Sequence, residues 1–289
     1  MRSEREMLDL ILSTARADER IRAVILNGSR ANPEVNPDPF QDFDVVYLVR
    51  DVDSFRRDPA WIDCFGERMI LQLPDDMDDV SNKQKVSYAY LMQFADGNRI
   101  DLTLYPVERL GTMDRDTLSV LLLDKDGAIE PFPPPSAAGY APKPPTAKAF
   151  ADCCNEFWWC SPYVAKGLWR RQIPYARYML DTVLRGELLK MLDWYVGLKT
   201  GFARGSGYLG KYLEKELEPE LWTLWMRTYA DGGIENAWDA LETMCALFRI
   251  AAGEVAEKSG FAYPHGDDER VSVHLKHVRS LPADAKEMY

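Results

Sequence analysis

The sequence is poor in the residues on which several classes of protein depend. Its 289 residues include three histidines and five cysteines. The odd number of cysteines disfavours a disulfide framework, so reduced thiols are expected. Cys153, Cys154 and Cys160 cluster, but without C-x2-C spacing or a nearby histidine they do not predict zinc. All three histidines follow residue 264, away from any serine nucleophile, which disfavours a Ser-His-Asp hydrolase.

Long apolar runs and positive charge are also scarce. No apolar run approaches the roughly 18 residues of a membrane span, and the first residues do not resemble a signal peptide, so a cytoplasmic protein is expected. Lysine and arginine number 35 against 46 acidic residues, a net charge of -11, which disfavours binding to nucleic acid. The negative charge is unevenly distributed, because residues 1–140 carry a net charge of -10 and residues 141–289 a net charge of -1. It indicates either a solvated acidic surface or a site for metal ions or a cationic substrate.

What is present is a folded chain of mixed character. With 46% hydrophobic and 28% charged residues, the composition is that of a globular protein, and the length predicts two domains. Helical spacing of apolar residues spans residues 5 to 17. Strands are predicted at Ile21–Leu26, Phe43–Val49, Met69–Leu73, Tyr88–Phe94 and Ile100–Tyr105. This order predicts an α+β domain around a central sheet.

A proline-rich stretch marks the domain boundary. Residues 131–145 hold seven of the 18 prolines and can continue neither a helix nor a central strand. We therefore predict domains at 1–135 and 146–289. Beyond the stretch the apolar spacing is helical, over about 147–170, 174–200, 219–229 and 234–256, so the second domain is predicted to be an all-α bundle.

The strongest chemical pattern combines a Gly-Ser turn with three aspartates. Gly28 and Ser29 follow the first strand, where a glycine lets backbone N–H groups approach phosphate oxygens and a serine adds a donor. Asp42 and Asp44 stand two apart at the start of an apolar strand, so both should point to one face. Asp101, on another strand, could complete a site for Mg²⁺, which prefers oxygen ligands and accompanies phosphates.

Similar patterns elsewhere in the chain serve as controls. Three other Asp-x-Asp triplets, beginning at Asp51, Asp114 and Asp124, are predicted to lie in solvated turns. Residues 205–211 fit G-x-G-x-x-G and G-x4-G-K, but they follow a helix, and Tyr212 stands where a P-loop has Ser or Thr. We interpret them as a helix-helix turn, with Lys211 as a candidate phosphate ligand.

Several segments resemble one enzyme family. NGSR at 27–30, FQDFDVVY at 40–47 and GNRIDL at 97–102 resemble the nucleotidyltransferase superfamily, which has a polymerase-β-like fold. CNEFWWC, MLDWYVGLKTGF and LKHVRSLPADAKEMY, among others, resemble the aminoglycoside 6-adenylyltransferases, the streptomycin-modifying enzymes, along nearly the whole chain. The resemblance implies a nucleotidyltransferase domain with a mixed sheet, followed by a helical domain that binds substrate.

The resemblance also implies a reaction. ATP phosphates would bind at Gly28, Ser29 and Arg30, and Mg²⁺ at Asp42 and Asp44. A hydroxyl of a cationic aminoglycoside would attack the α-phosphorus, with Asp101 as base, as a further metal ligand, or as both. In the helical domain, Glu156, Trp158 and Trp159 are the candidate drug-binding residues, although both tryptophans could equally belong to the core. The alternatives are adenylyl transfer to a lincosamide-type drug or a protein, and a non-catalytic nucleotide sensor.

Overall fold

The protein is described by a computed structural model that covers residues 1–77 and 86–289. These residues form two compact units, Met1–Gly139 and Tyr140–Tyr289. The division falls within the proline-rich stretch 131–145, where repeated prolines interrupt regular hydrogen bonding. Each unit is built around its own hydrophobic core.

A mixed sheet organises the first unit. Its strand order is β3-β4-β5-β2-β1-β6. The strands are β1 (Ile21–Asn27), β2 (Phe43–Val49), β3 (Arg68–Gln72), β4 (Tyr88–Phe94), β5 (Arg99–Pro106) and β6 (Ser119–Asp124). β2 and β5 pair in parallel, and the other neighbouring strands pair antiparallel. The predicted α+β class with a mixed sheet is confirmed.

Helix α1 (Glu4–Ala17) covers the larger apolar face of this sheet. Ser3 begins the helix with a capping box, because its side chain accepts from the Glu6 N–H while the Glu6 carboxylate accepts from the Ser3 N–H. Across the buried interface, the Tyr47 hydroxyl donates to the Ile11 carbonyl at 2.6 Å. That bond satisfies a polar atom inside the core and fixes the helix against β2.

Strand β2 is buried on both faces. Phe43 and Val45 point into the core beneath α1, whereas Val46 and Leu48 belong to a smaller apolar cluster on the opposite face. A strand covered on both sides needs a nearly continuous apolar sequence, and FDVVYLV provides one. Asp44 is the polar exception in this strand.

The five predicted strands are confirmed, with ends shifted by at most one residue. Strand β6 was missed. Its residues SVLLLD include one buried and five half-buried positions, so buried and exposed positions do not alternate along the strand. The sequence accordingly lacks the alternation of apolar and polar residues that would predict a strand. The short helix α2 (Val52–Arg56) follows β2 and is capped by Asp51.

The second unit is helical. Its helices are α3 (Ala147–Trp169), α4 (Ile173–Tyr178), α5 (Arg185–Thr200), α6 (Leu213–Glu216), α7 (Pro219–Arg227), α8 (Ile234–Ser259) and α9 (His265–Ser280). The predicted all-α class of this half is therefore confirmed. One predicted helix, 174–200, is instead α4 and α5 joined by a π-helical turn at Met179–Leu184. The turn places Leu180 and Leu184 in the core, so apolar spacing continues through it.

Aromatic residues fill the core of this unit. The ring of Phe157 on α3 stacks on Phe248 of α8 at 3.8 Å between centroids, and Trp158 meets the same ring edge-on. The segment 205–211 joins α5 to α6, which confirms the predicted helix-helix turn. Within the part of the chain that the structure describes, no helix is long and apolar enough to cross a membrane.

Candidate active site

Strand register places four polar residues in one row across the sheet. Asn27 on β1 lies opposite Asp44 on β2, and Asp44 lies opposite Asp101 on β5. Ser119 on β6 extends the row, because it lies opposite Asn27 and donates to its side-chain oxygen at 2.7 Å. Residues paired in register point to the same face of a sheet. The row therefore gathers polar atoms on the face opposite α1.

Gly28 lets the Asp44 carboxylate pack against the turn that follows β1. Its φ is +73°, and an added Cβ would lie 2.2 Å from Oδ2 of Asp44. Both the backbone conformation and the space therefore require glycine. The Gly28 N–H donates to the Leu118 carbonyl at 3.0 Å, which ties the turn to the segment before β6. Ser29 is next in the 3-10 turn Gly28–Ala31 and is half-buried.

Arg30 holds the chain that leads into β2. Its guanidinium donates to the carbonyls of Gln41 at 2.7 Å and Asp42 at 3.1 Å, and it stacks over the Phe43 ring at 3.8 Å. The side chain is only 6% exposed. These contacts fix the backbone of Asp42 immediately before the strand. They are the contacts of a positioning residue, and the phosphate contact predicted for Arg30 stays a prediction.

Arg99 joins the aspartates. It stands two residues before Asp101 on β5, and its Nε and Nη2 donate to the two Asp101 carboxylate oxygens, each at 2.7 Å. The same Nε lies 3.6 Å from Oδ2 of Asp42. The Arg99 guanidinium therefore lies between the carboxylates of Asp101, on β5, and Asp42, the residue before β2.

Burial and like charges perturb the aspartates. Burial, followed by the charges of Asp101 and Asp42, raises the pKa of Asp44 to about 6. Burial also raises the pKa of Asp42, although the nearby Arg99 opposes the rise. The charge of Asp116, which is half-buried, also contributes to the raised pKa of Asp44. A cluster of carboxylates held together at an energetic cost is typical of a functional site.

The donor set suits a hard cation, but one donor is engaged. Within residues 1–77 and 86–289, no three His, Cys, Asp or Glu side chains are grouped so that they could hold a metal as they stand. Both oxygens of Asp101 are bound by Arg99. Asp42 and Asp44 nevertheless offer oxygen ligands whose mutual repulsion a divalent ion would relieve. The oxygen donors of these aspartates therefore suit Mg²⁺, with Asp101 shared with Arg99.

The candidate drug-binding residues of the second unit differ in how exposed their side chains are. Trp158 is 1% exposed and belongs to the core, whereas Trp159 is 64% exposed. Glu156 lies on the surface of α3 and accepts a hydrogen bond from the Cys160 thiol at 3.2 Å. The ammonium of Lys211 lies 5.0 Å from the ring centroid of Tyr212.

A groove runs beside Trp159 within this unit. It has a volume of about 480 Å³ and lies between α3 and α9. Its walls are lined by aromatic and polar side chains, among them Trp159, Tyr163, Asp267 and His274. Arg270 also lines the groove and pairs with Asp267, so the aromatic faces are what the groove offers to a cationic ligand.

Sequence reasoning did not single out Arg99, Asn27 or Asp116. A signal for Arg99 was available, because a residue two positions before Asp101 on a strand shares its face. Asn27 and Asp116 gave no comparable signal. Asn27 lies beside Asp44 through the register of β1 with β2, and Asp116 stands just before β6, a strand that was not predicted.

Comparison with known proteins identifies the class of enzyme and then the family. Residues 1–278 match the family model described as streptomycin adenylyltransferase. Aminoglycoside 6-adenylyltransferases from Campylobacter jejuni and Bacillus subtilis (strain 168) are 43% and 40% identical over 270 residues, covering 93% of this chain and 93% and 95% of theirs. The chain is therefore a nucleotidyltransferase. It belongs to the streptomycin adenylyltransferase family.

Two further relatives carry similar names. The aminoglycoside 6-adenylyltransferase of Staphylococcus aureus is 34% identical over 267 residues, covering 92% of this chain and 95% of its own. A crystal structure of an aminoglycoside 6-adenyltransferase from Bacillus subtilis aligns with 97% of this chain and 100% of its own, at 35% identity and a TM-score of 0.49.

Proposed function

We propose that this enzyme transfers AMP from Mg-ATP to the 6-hydroxyl of a streptomycin-like aminoglycoside and so confers resistance to the drug. The observation that carries the proposal is the placement of Asp44 opposite Asp101 and against the Gly28 turn. This puts acidic groups beside a turn suited to phosphate. The printed names of the relatives support the acceptor and the position of transfer.

The two halves of the chain are proposed to bind different substrates. Residues 1–135 would bind and activate the nucleotide, because they contain the Gly28 turn and the aspartates. Residues 146–289 would bind the drug, because their groove presents aromatic rings. Residues 131–145 would connect the two.

ATP phosphates are proposed to lie against Gly28 and Ser29. The Gly28 N–H donates to the Leu118 carbonyl, so Gly28 would give the phosphates close access to the turn, and the Ser29 amide and hydroxyl would be the donors. Arg30 would keep the turn and the Asp42 backbone in place. Lys211 is proposed to add a positive charge for the phosphates.

Asp42, Asp44 and Asp101 are the proposed metal ligands. Bound there, Mg²⁺ would neutralise charge on the phosphates as pyrophosphate leaves. Asp44, held against Gly28, fixes the position of one ligand oxygen. Burial is the main cause of the raised pKa of Asp44 and Asp42, and the charges of neighbouring carboxylates add to it; a bound cation would relieve that repulsion.

The proposed transfer is one in-line displacement. The drug hydroxyl oxygen forms a bond to the α-phosphorus, and the bond from that phosphorus to the β-bridging oxygen breaks. Pyrophosphate leaves with the bonding electrons, and the hydroxyl proton passes to the Asp101 carboxylate. Asp101 lies on the strand next to Asp44, so it can reach the reacting centre from the side opposite Gly28.

The drug is proposed to be held by charge and by aromatic stacking. Streptomycin carries guanidinium groups, which pair with carboxylates and stack on aromatic rings. Trp159 is exposed and available for stacking, and Glu156 provides a carboxylate on the same helix. Trp158 is proposed to support Trp159 from the core without contacting the drug.

A panel of acceptors tests the proposal. Purified protein is incubated with Mg-ATP and either streptomycin, another aminoglycoside, a lincosamide or no drug, and the products are weighed by mass spectrometry. We expect streptomycin to gain one AMP. AMP on the lincosamide alone, or on the protein itself, would replace the proposed acceptor. Nucleotide binding with no transfer to any acceptor would favour a nucleotide sensor.

A further inference from the structure

Arg99 contributes a guanidinium to the acidic cluster. Its guanidinium makes two hydrogen bonds of 2.7 Å with Asp101 and lies 3.6 Å from Asp42. A paired guanidinium and carboxylate with two parallel bonds is among the stronger ion pairs available to a protein. It also supplies positive charge where several carboxylates would otherwise repel one another.

The pairing competes with the role proposed for Asp101. Each of its oxygens accepts one hydrogen bond from Arg99, so a metal ion or a substrate hydroxyl would have to share the carboxylate with the guanidinium. A divalent cation at Asp42 and Asp44 would also repel the guanidinium at this short range. A bound cation would therefore weaken the Arg99–Asp101 pair.

The surroundings of Arg99 allow it to move. Its side chain is 39% exposed, and its described partners are the carboxylates themselves. Arg30 provides the contrast, because backbone carbonyls and the Phe43 ring hold its guanidinium in place. A long side chain at the surface changes rotamer rapidly once its partner is taken.

An anion must receive the displaced guanidinium. Nucleotide triphosphate would arrive beside the same turn, and arginine recognises phosphate oxygens with two parallel hydrogen bonds. Arg99 lies on the same sheet face as Asp101, which is opposite Asp44, and Asp44 packs against Gly28, so the guanidinium and the proposed phosphate position belong to one row of strands.

We propose that Arg99 is the counter-ion of the acidic cluster in the metal-free enzyme and moves to the nucleotide triphosphate when the metal binds. Metal then binds tightly only together with nucleotide, since metal alone must break the Arg99–Asp101 pair without compensation. This inference rests on the proposed function, and it makes Arg99 a positioning residue for metal and nucleotide.

Mn²⁺ binding without turnover tests the inference. Free Mn²⁺ is measured by electron paramagnetic resonance in titrations of wild type, Arg99→Gln and Arg57→Gln, with and without α,β-methylene-ATP, which cannot transfer AMP. Arg57 is a matched control, because it is 70% exposed and pairs with Asp51 away from the cluster. We expect Arg99→Gln to bind Mn²⁺ alone at least about tenfold more tightly than wild type, since a competing charge is gone. Arg57→Gln should match wild type.

The nucleotide analogue completes the test. It should tighten Mn²⁺ binding strongly in wild type and in Arg99→Lys, which keeps the charge, but weakly in Arg99→Gln. Thermal melting in EDTA should show a folded Arg99→Gln with a lower Tm. Equal affinities of wild type and Arg99→Gln for Mn²⁺ alone would overturn the inference while leaving the metal site intact. Failure of wild type to bind Mn²⁺ even with the analogue would overturn the metal site and the inference together.

Discussion

The Asp44 carboxylate lies so close to Gly28 that a Cβ at Gly28 would stand 2.2 Å from its Oδ2. Contact at that distance is impossible for real atoms, so a side chain at Gly28 would displace either the carboxylate or the turn. The turn is proposed to bind phosphate and the carboxylate to bind metal. Their contact thus ties the two parts of the proposed site into one geometry.

Gly28→Ala should inactivate the enzyme through this contact. We expect kcat/KM for adenylyl transfer to fall at least about a hundredfold, because a misplaced ligand weakens transition-state stabilisation. Gly127→Ala is the control, since Gly127 also has a positive φ of 62° but no neighbour within 4 Å of an added Cβ. It should cost only about 1–2 kcal/mol of stability. Equal activity losses in the two variants would show that backbone strain, and not the contact with Asp44, is responsible.

Asp44→Asn should abolish activity but stabilise the metal-free protein. Burial raises the pKa of Asp44 from 3.8 to about 6, so ionising it in the folded state costs stability. Below the unfolded pKa of 3.8 the carboxyl is protonated in both states and the folded state has its full stability. As pH rises from there to about 6, the wild-type protein loses stability. In EDTA, the Tm advantage of the variant should therefore be small at pH 4, grow up to about pH 6 and stay constant above it. A variant less stable than wild type at neutral pH would contradict the assignment.

Trp158 and Trp159 should behave oppositely when truncated. Trp158→Ala removes a buried core ring and should lower the free energy of unfolding by about 3–5 kcal/mol. Trp159→Ala removes an exposed ring and should change stability by less than about 0.5 kcal/mol while raising KM for the drug. Denaturant unfolding and steady-state kinetics on both variants check this. An unchanged KM in Trp159→Ala would remove that residue from the proposed drug site.

Salt should raise KM for the drug while changing kcat little. Residues 1–140 carry a net charge of -10, and attraction of a polycation to such a surface is screened over about 10 Å at 0.1 M salt. KM for streptomycin should climb several-fold between about 0.05 and 0.5 M salt while kcat changes little. Glu156→Gln should reproduce part of the rise. A KM independent of salt would mean that the acidic half is only a solvated surface.

Local patterns in the sequence predicted most of the first unit. Strand β2 was predictable because burial on both faces demands a continuous apolar run, in which Asp44 stands out. Strand β6 was not, because its half-buried positions follow neither a helical nor a strand period. Without β6, the approach of Asp116 to Asp44 could not be anticipated, whereas Asn27 lies opposite Asp44 through the register of β1 with β2.

Individual side chains were harder to predict than the fold. The adjacent tryptophans of CNEFWWC have the same composition around them, yet one is core and the other surface, since neighbours on a helix point about 100° apart. Arg30 and Arg99 illustrate the same limit. The first is fixed by backbone carbonyls and the second binds carboxylates, and only the tertiary structure distinguishes these two sets of partners.

Pyrophosphate release is the most direct test of the proposed reaction. It is followed in the presence of Mg-ATP, with and without streptomycin, for wild type and Asp101→Asn. We predict that wild type releases one pyrophosphate for each AMP found on the drug, and none beyond background without drug. Asp101→Asn should keep much of its affinity for Mg-ATP and lose turnover. Release that does not depend on streptomycin, or release of orthophosphate instead, would contradict adenylyl transfer to the drug.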